Sequence, residues 1–256
     1  MNHFFVDNNN IHLSSQLSKW DTEIFGFNVA VLDKFKIRNF EKIQFEFNLY
    51  KEWLINNSIK IVSCRLENTY LEESFFLEES GFRFIEMVLH PTIFDLQNYN
   101  CAINNFLVLP SKKEDLKIIK NIALNAFSHE RYHLDPRFDN ELANIRYETW
   151  VNNTTKEDSN QLLLKIIDNM GSILAFFVIE ELDGNSVYWH LTAVNPEFQN
   201  KKLGYLIWMS VINYCKNLGF KSIDTTISAR NIRVLNLYSK LNFRFKSPDM
   251  TFHLFL

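Results

Sequence analysis

Cysteine, proline and glycine are all scarce in this chain of 256 residues, with 3, 5 and 6 copies. The cysteines stand far apart, and no Cys-x-x-Cys or Cys/His cluster occurs, so the sequence predicts neither a disulfide framework nor a metal site. No apolar run approaches the roughly 18–20 residues that span a bilayer. The amino-terminal MNHFFVDNNN also lacks the basic and apolar regions of a secretory signal. We therefore expect a soluble, cytoplasmic protein.

Excess positive charge is missing as well. The chain has 27 Lys and Arg against 30 Asp and Glu, a net charge of −3, and no Lys/Arg run, which argues against nucleic acid as a partner. What the chain has instead is apolar material: 46% of its residues are hydrophobic and 24 are Phe. This composition supports a sizeable core in one large domain or two small ones.

The apolar pattern divides the chain into two α/β halves. Residues 1–100 alternate apolar runs typical of strands with apolar residues at helical spacing. The polar stretch 97–105 predicts a boundary, and 105–256 continues with helices, strand hairpins and a crossover that carries a helix. Asp183-Gly184 is the signal of one hairpin turn. We expect an α/β (α+β) fold with a mixed, mostly antiparallel central sheet flanked by helices.

The last quarter of the chain carries the most informative pattern. A strand-like run, 187–194, is followed by the polar loop 195–204 and an amphipathic helix, 203–218. A helix N-terminus presents unpaired backbone N–H groups and a partial positive charge, which suit a pyrophosphate. A glycine at the helix start lets the phosphate approach, and each of two neighbouring lysines would contribute ~1 kcal/mol. The alternative is an ordinary strand-to-helix loop with solvated lysines.

This region resembles the GNAT superfamily of N-acetyltransferases. The superfamily's loop, Q/R-x-x-G-x-G/A, stands here as Gln199-Asn200-Lys201-Lys202-Leu203-Gly204, with Lys202 in place of the first glycine. A non-glycine residue at that position can still donate its N–H if its φ is negative. Asn231-x6-Tyr238-x3-Leu241-Asn242-Phe243 resembles the superfamily's N…LY…GF signature, with Asn242 replacing a glycine. Asparagine tolerates the left-handed backbone that this position requires.

The resemblance implies acetyl-CoA as the acyl donor and no metal. The cofactor-binding residues that it implies are Leu191, Thr192, Ala193, Val194, Gln199, Asn200, Lys201, Lys202, Leu203, Gly204, Tyr205, Asn231, Leu237 and Tyr238.

The likeness extends upstream, in an ordered series of segments. These are WDTEIFGF (20–27), EESFFLEESGFRFIEMVL (72–89), AFSHERYHLDPRF (126–138) and YETWVNN (147–153). Their order resembles that of the TDP-fucosamine acetyltransferase family, which acetylates the 4-amino group of a dTDP-linked 4-amino-4,6-dideoxygalactose.

That resemblance implies a domain plan and a function. A degenerate, GNAT-like N-terminal domain would occupy 1–100, and a catalytic GNAT domain 105–256. The implied activity is N-acetylation of a nucleotide-linked amino-dideoxy sugar. The alternatives are a GNAT enzyme acting on another small amine or a polypeptide N-terminus, and a CoA-binding regulatory module without catalysis. The sugar, the nucleotide, the acyl length and the oligomeric state stay open, although a strand at 250–256 could pair across a homodimer.

Two residues are candidates for proton transfer. Tyr238 is the candidate acid for the departing thiolate, and the alternative is an aromatic residue that only packs in the core. His190 is the candidate base for the amine. It lies four residues before Val194, so an unbulged strand would put it on the same face as Thr192 and Val194. A structural histidine, or no base at all, is the alternative.

The long loop 127–138 is the candidate site for the sugar nucleotide. An arginine can pair with phosphate in bidentate fashion, and aromatic and polar side chains suit the base and the ring hydroxyls. The alternative is an exposed loop with a salt bridge. The candidate substrate-binding residues are Phe127, Arg131, Tyr132, His133 and Asp135.

Overall fold

In the computed structural model, which describes residues 2–101 and 106–256, the end of the chain folds with its beginning. Unit 1 comprises Met1–Val88 and Ser247–Leu256, and unit 2 comprises Leu89–Lys246. These limits differ from the division into 1–100 and 105–256 that the sequence suggested. Part of the predicted linker and the predicted start of the second domain, residues 102–105, lie outside the described residues.

Strands supply most of the framework. They are β1 (His3–Asp7), β2 (Ile11–Leu17), β3 (Asn28–Ile37), β4 (Ile59–Glu67), β5 (Arg83–Ile93), β6 (Leu107–Pro110), β7 (Gln161–Ile167), β8 (Ile173–Glu181), β9 (Ser186–Val194), β10 (Ser222–Thr225), β11 (Ile227–Ser228) and β12 (Arg244–Phe255). The helices are α1 (Lys19–Phe25), α2 (Gln44–Asn56), α3 (Leu71–Glu79), α4 (Leu116–Ala126), α5 (Arg131–Leu134), α6 (Asn140–Asn153), α7 (Gly204–Asn217) and α8 (Ile232–Lys240).

In unit 1 the strands follow the order β1-β2-β3-β4-β12, and only the β3–β4 pair is parallel. Helix α2 covers this sheet with Phe47, Tyr50 and Leu54, which recur at helical spacing and are buried. They share one apolar cluster with Phe252 and Leu254 of β12. The last strand of the chain is therefore part of the core of unit 1.

The pairing of β12 changes one expectation. The strand runs antiparallel to β4, from Asp249 opposite Glu67 to Phe255 opposite Ile61. Its backbone hydrogen bonds on that side are made within the chain, which is why the last ten residues, 247–256, fold with unit 1. The suggestion that 250–256 pairs across a homodimer therefore loses its basis, and a homodimer stays a prediction without a named interface.

In unit 2 the strands follow the order β5-β10-β9-β8-β7-β6. The β9–β10 pair is parallel, and the other pairs of this order are antiparallel. Together with unit 1 this confirms the predicted mixed, mostly antiparallel sheet flanked by helices.

Strand β8 is buried on both faces, as its uninterrupted apolar run ILAFFVI requires. Phe177 packs on one face with Trp208 of α7 and Tyr238 of α8. Phe176 packs on the other with Ile119 of α4 and residues of α6. We call these the α7/α8 face and the α4/α6 face of the unit 2 sheet.

The three cysteines are free thiols, and burial raises the pKa of Cys64 and of Cys215 to about 12. Across residues 2–101 and 106–256, no helix is both long enough and apolar enough to cross a membrane.

Candidate active site

Strand β9 carries a β-bulge at the point where the candidate site begins. Val178 of β8 pairs with Leu191. The next residue of β8, Ile179, pairs with Trp189. His190 is therefore an extra residue that no residue of β8 lies opposite in the strand register. Such a bulge reverses the alternation of side chains beyond it. Trp189 accordingly packs on the α7/α8 face, whereas Leu191 packs on the α4/α6 face.

The bulge corrects the expected position of His190. Thr192 pairs with Phe177 and Val194 with Ala175, so both point to the α7/α8 face. His190 instead contacts Trp150 of α6, on the other face. The extra residue is the physical reason why His190 does not share a face with Thr192 and Val194, as an unbulged strand would require.

Strands β9 and β10 separate beyond the bulge. Their parallel pairing runs from Ser186–Ser222 to Trp189–Thr225, while β9 continues to Val194. The Thr225 hydroxyl donates to the carbonyl oxygen of Trp189 at 2.8 Å, which closes the pairing at its last residue. In the register of the described strands, the edge of 191–194 that faces away from β8 is therefore not paired with β10.

The loop after β9 is held by its own polar side chains. Asn195 caps the short 3-10 turn Pro196–Phe198 by accepting from the Glu197 N–H. The Gln199 side chain donates to the Val194 carbonyl oxygen at 3.1 Å. These bonds link the loop to the end of β9 and bring together residues that the motif suggested would act together.

Lys202 does not have the negative φ that the sequence argument required. Its φ is 60°, and that of Asn200 is 62°. The loop thus has at Lys202 a left-handed geometry that glycine would adopt freely. For a non-glycine residue this geometry costs roughly 1–2 kcal/mol. Such strain is often retained where a ligand needs the backbone in one conformation.

Helix α7 begins directly after this loop. Its N-terminal cap position is Leu203, and within the described residues no side chain caps it. The first backbone N–H groups of α7 therefore have no side-chain partner at the cap, as an anion-binding helix start requires. A Cβ on Gly204 would lie 3.5 Å from Leu237 of α8, an ordinary contact. The protein itself therefore does not require a glycine here, and the start of α7 lies against α8.

Helix α8 places the remaining residues of the motif. The Asn231 side chain accepts from the Val234 N–H and caps the helix. Asn242 has a φ of 55°, the left-handed conformation for which asparagine was expected to substitute for glycine. Lys240 lies over the ring of Tyr205, 4.8 Å from its centroid, which again joins α8 to the start of α7.

Tyr238 is only 2% exposed and packs against Phe243. Burial raises the pKa of its hydroxyl, and the nearby side chains of Trp208, Thr225 and Thr192 partly offset that rise. The hydroxyl therefore stays protonated at neutral pH, in the state that a proton donor needs. Thr192 belongs to the unpaired segment of β9, so the candidate acid lies beside the gap between β9 and β10.

His190 is held by a carboxylate. Its Nε2 atom lies 2.6 Å from Oε2 of Glu180, in the adjacent strand β8. Burial lowers the pKa of His190, and Glu180 partly offsets this effect. The ring is therefore mainly neutral at pH 7, and the contact is a hydrogen bond from the imidazole N–H to the carboxylate.

The candidate substrate loop folds into α5 and the start of α6. Phe127 stacks on Tyr147 at 4.4 Å, and His133 stacks on the same ring at 5.7 Å. The His133 ring also hydrogen-bonds to Asn144 at 2.8 Å, and burial lowers its pKa. Two of the suggested residues are therefore fixed against α6.

Tyr132 and Asp135 are buried, at 0% and 1% exposure. Two Arg137 nitrogens donate to Asp135 at 2.8 and 2.7 Å, so this carboxylate orders the loop. Arg131, which is half-buried, lies over the Tyr132 ring at 4.8 Å. The loop thus contains a salt bridge between Asp135 and Arg137, as the alternative interpretation expected. Among the suggested residues, Arg131 is the one best suited to bind an anion.

Three residues near this site were not suggested by the sequence analysis: Glu180, Arg146 and Trp150. Arg146 is 7% exposed, and its guanidinium lies 4.9 Å from the Tyr132 ring and 5.6 Å from the Trp150 ring. Glu180 could have been found, because the Asp183-Gly184 turn sets the hairpin register and puts it diagonally across from His190. Nothing in the local pattern of α6 marked Arg146, and the segment 147–153 included Trp150 without giving it a role.

Unit 2 thus combines a mixed sheet that contains a bulged strand, a gap beside that strand and an uncapped helix start next to it. Residues 121–243 match the Acetyltransferase (GNAT) family. This part of the chain is a GNAT acetyltransferase domain. Enzymes of this family use acetyl-CoA.

Individual relatives are distant. The spore coat polysaccharide biosynthesis protein SpsD of Bacillus subtilis (strain 168) is 19% identical over 145 residues, 57% of this chain and 49% of SpsD. The chain thus matches about half the length of this curated relative.

Solved structures extend the likeness to both units. A GCN5-related N-acetyltransferase from Sphaerobacter thermophilus superposes with a TM-score of 0.67 at 11% identity, over 97% of this chain and 81% of the other. A tandem GNAT protein from the clavulanic acid biosynthesis pathway has a TM-score of 0.61 at 10% identity, with coverages of 96% and 79%. At these identities the likeness establishes the fold alone.

Proposed function

We propose that this protein transfers an acetyl group from acetyl-CoA to the amino group of a nucleotide-linked amino-dideoxy sugar, with dTDP as the carrier. The observation that carries the transferase part is the placement of Tyr238 beside the gap that follows the bulge in β9. The sugar part is supported by the order of the upstream motifs and by the name of SpsD, a polysaccharide biosynthesis protein.

The donor would bind along two features of unit 2. Its pyrophosphate suits the uncapped start of α7, where Gly204 offers no side chain and Lys201 and Lys202 supply charge. Its extended arm suits the unpaired edge of 191–194, whose backbone groups can bond it as a strand bonds a neighbour. The cofactor-binding residues of the sequence analysis thus form one proposed site, with Asn231 acting as a helix cap.

Acetyl-CoA, when bound, supplies the acetyl group as an activated thioester. Tyr238 gives its hydroxyl proton to the sulfur as the carbon–sulfur bond breaks, so that a thiol leaves instead of a thiolate. The carbon–nitrogen bond forms as the amine loses a proton to a nearby base. The tyrosine regains its proton from water, and a positioned acid of this kind contributes roughly 10²–10⁴-fold to the rate.

The sugar nucleotide would bind at the arginine–aromatic cluster of α5 and α6. Arg131 and Arg146 lie at 4.8 and 4.9 Å from the Tyr132 ring, so two cations sit on one aromatic platform. A guanidinium pairs with phosphate in bidentate fashion, so a diphosphate suits two closely placed arginines. The other suggested residues would shape this cluster through their contacts with α6 or within the loop. They are Phe127, Tyr132, His133 and Asp135.

The test is a direct assay. The protein is incubated with acetyl-CoA and 4-amino-4,6-dideoxyhexoses linked to dTDP or to other nucleotides, and free CoA is followed with a thiol reagent. We expect release of CoA with the dTDP-linked sugars and an N-acetylated product by mass spectrometry.

Simple amines and peptides serve as the comparison acceptors in the same assay. Turnover of these acceptors without turnover of any nucleotide aminosugar would overturn the substrate proposal and leave a GNAT enzyme for another amine. Binding of CoA without any transfer would indicate a regulatory module.

A further inference from the structure

Glu180 and His190 form a pair on the face of the sheet opposite Tyr238. Their Oε2 and Nε2 atoms are 2.6 Å apart, and the two side chains are only 24% and 21% exposed. Glu180 pairs with Tyr188 across the hairpin, so His190 is its diagonal neighbour before the bulge reverses the side-chain alternation. Two adjacent strands therefore hold the pair, and no flexible loop is involved.

Aromatic side chains enclose the imidazole. Tyr188 lies 4.7 Å and Trp150 lies 6.0 Å from the His190 ring centroid. Trp150 is itself fixed by donating to Gln161 at 2.9 Å. The titratable and charged groups around His190 are thus Glu180 from β8, Tyr188 from β9, and Arg146 from α6, the last stacked on Trp150.

The hydrogen bond determines which ring nitrogen can act. A carboxylate only accepts, so Nε2 carries the hydrogen and the lone pair lies on Nδ1. Nδ1 can then take a proton, and the adjacent Glu180 stabilises the imidazolium that results. Because burial lowers the pKa of His190, the ring is neutral and ready to accept a proton at neutral pH.

We propose that Glu180 is a positioning residue that holds His190 in the tautomer able to take the proton of the acceptor amine. The bulge at His190 turns this base to the α4/α6 face, while Tyr238 stays on the α7/α8 face with Thr192. The amine proton thus moves from nitrogen to Nδ1 on one face, and the tyrosine proton moves to sulfur on the other. The proposal deepens the proposed amine acetylation and depends on it, although not on the identity of the amine.

The first test is the pH profile of kcat/KM for Glu180→Gln. We expect kcat to fall at least about tenfold, with the KM for acetyl-CoA changed less than twofold. The acid limb of the profile reports the loss of neutral imidazole. It moves to lower pH in the variant, because the carboxylate that raises the pKa of His190 is gone. His190→Ala should remove this limb, and adding Glu180→Gln to it should cause no further loss.

Glu181→Gln is the matched control, since Glu181 is an exposed neighbour on the same strand, and it should leave the profile unchanged. Glu180→Asp should restore part of the rate. An unchanged profile in Glu180→Gln, or additive losses in the double variant, would overturn the proposal. These measurements can be made with any amine that the wild-type protein acetylates. A failure of the proposed sugar substrate is therefore distinguishable from a failure of the proposed role of Glu180.

A second measurement does not need activity. Nitrogen-15 NMR of the wild-type protein should show His190 neutral at pH 7 with the hydrogen on Nε2, and Glu180→Gln should titrate at lower pH. A hydrogen on Nδ1, or a charged ring at pH 7, would contradict the positioning role even if no acceptor amine had been found.

Discussion

The hydroxyl of Tyr238 is buried in an aromatic cluster. Only a few polar side chains offset the free-energy cost of removing this hydroxyl from water. Burial raises its pKa, while Thr192, Thr225 and Trp208 act in the opposite direction. A buried hydroxyl is retained when hydrogen bonds or a chemical task compensate for its desolvation. The neighbouring threonine on the unpaired edge of β9 connects this hydroxyl to the proposed thioester position.

Replacing Tyr238 with Phe removes only the hydroxyl. We expect kcat to fall at least about tenfold, because the thiolate must then leave without a proton donor, while the Kd for CoA stays within twofold. Steady-state release of CoA and calorimetric titration measure the two quantities. Tyr214→Phe, which changes a partly buried tyrosine of unit 2, is the control and should keep full activity. Unchanged turnover in Tyr238→Phe would remove this residue from the mechanism.

Lys202 illustrates a residue whose backbone and side chain have opposing effects. Its φ of 60° strains the folded state, whereas its charge suits a pyrophosphate. Lys202→Gly and Lys202→Ala both remove the charge, but only glycine adopts this φ freely. We expect the glycine variant to be more stable than the alanine variant by about 1 kcal/mol, measured by urea unfolding. Equal stabilities would mean that the loop relaxes out of the left-handed conformation.

Both variants should bind CoA more weakly than the wild-type protein, since each loses one cation at the helix start. The comparison therefore separates strain from charge at a single position.

At the scale of elements, helix α7 begins with Gly204, a glycine that the fold itself does not require. A Cβ at Gly204 would meet Leu237 at an ordinary 3.5 Å. Gly204→Ala should thus leave the free energy of unfolding unchanged or raise it by up to about 1 kcal/mol, because alanine favours helix. It should nevertheless weaken CoA binding, measured by calorimetry, because the methyl group occupies the space of the approaching phosphate.

Gly26 provides the contrast. It ends α1 with a φ of 73°, so Gly26→Ala should destabilise the protein by about 1 kcal/mol without changing the CoA affinity. If Gly204→Ala bound CoA as tightly as the wild-type protein, the start of α7 would not be the pyrophosphate site.

At the scale of the whole molecule, stability depends on contacts between the two ends of the chain. Phe252 is 1% exposed in the core of unit 1, whereas Phe5 of β1 is 57% exposed. Phe252→Ala should cost about 3–5 kcal/mol through the cavity that it leaves, and Phe5→Ala should cost no more than about 0.5 kcal/mol. Chemical denaturation followed by tryptophan fluorescence measures both. Similar losses would mean that β12 does not contribute to the core.

Much of this organisation could be predicted where the signal was local. Apolar periodicity indicated α2, and the Asp183-Gly184 turn marked the β8–β9 hairpin. The tolerance of asparagine for left-handed backbone accounted for Asn242. Strand partners that are distant in sequence were harder to predict, because a local pattern does not specify which strand pairs with β12.

The sequence by itself predicted an acetyltransferase-like domain in the second half of the chain, because the loop 199–204 and the later Asn231 and Tyr238 resemble the GNAT pattern, and residues 121–243 match that family. Only the tertiary structure decided that His190 and Tyr238 lie on opposite faces of the sheet. One extra residue in β9 reverses the side-chain alternation. That register is set by the packing of β8 and its neighbours on both faces, which no local pattern contains.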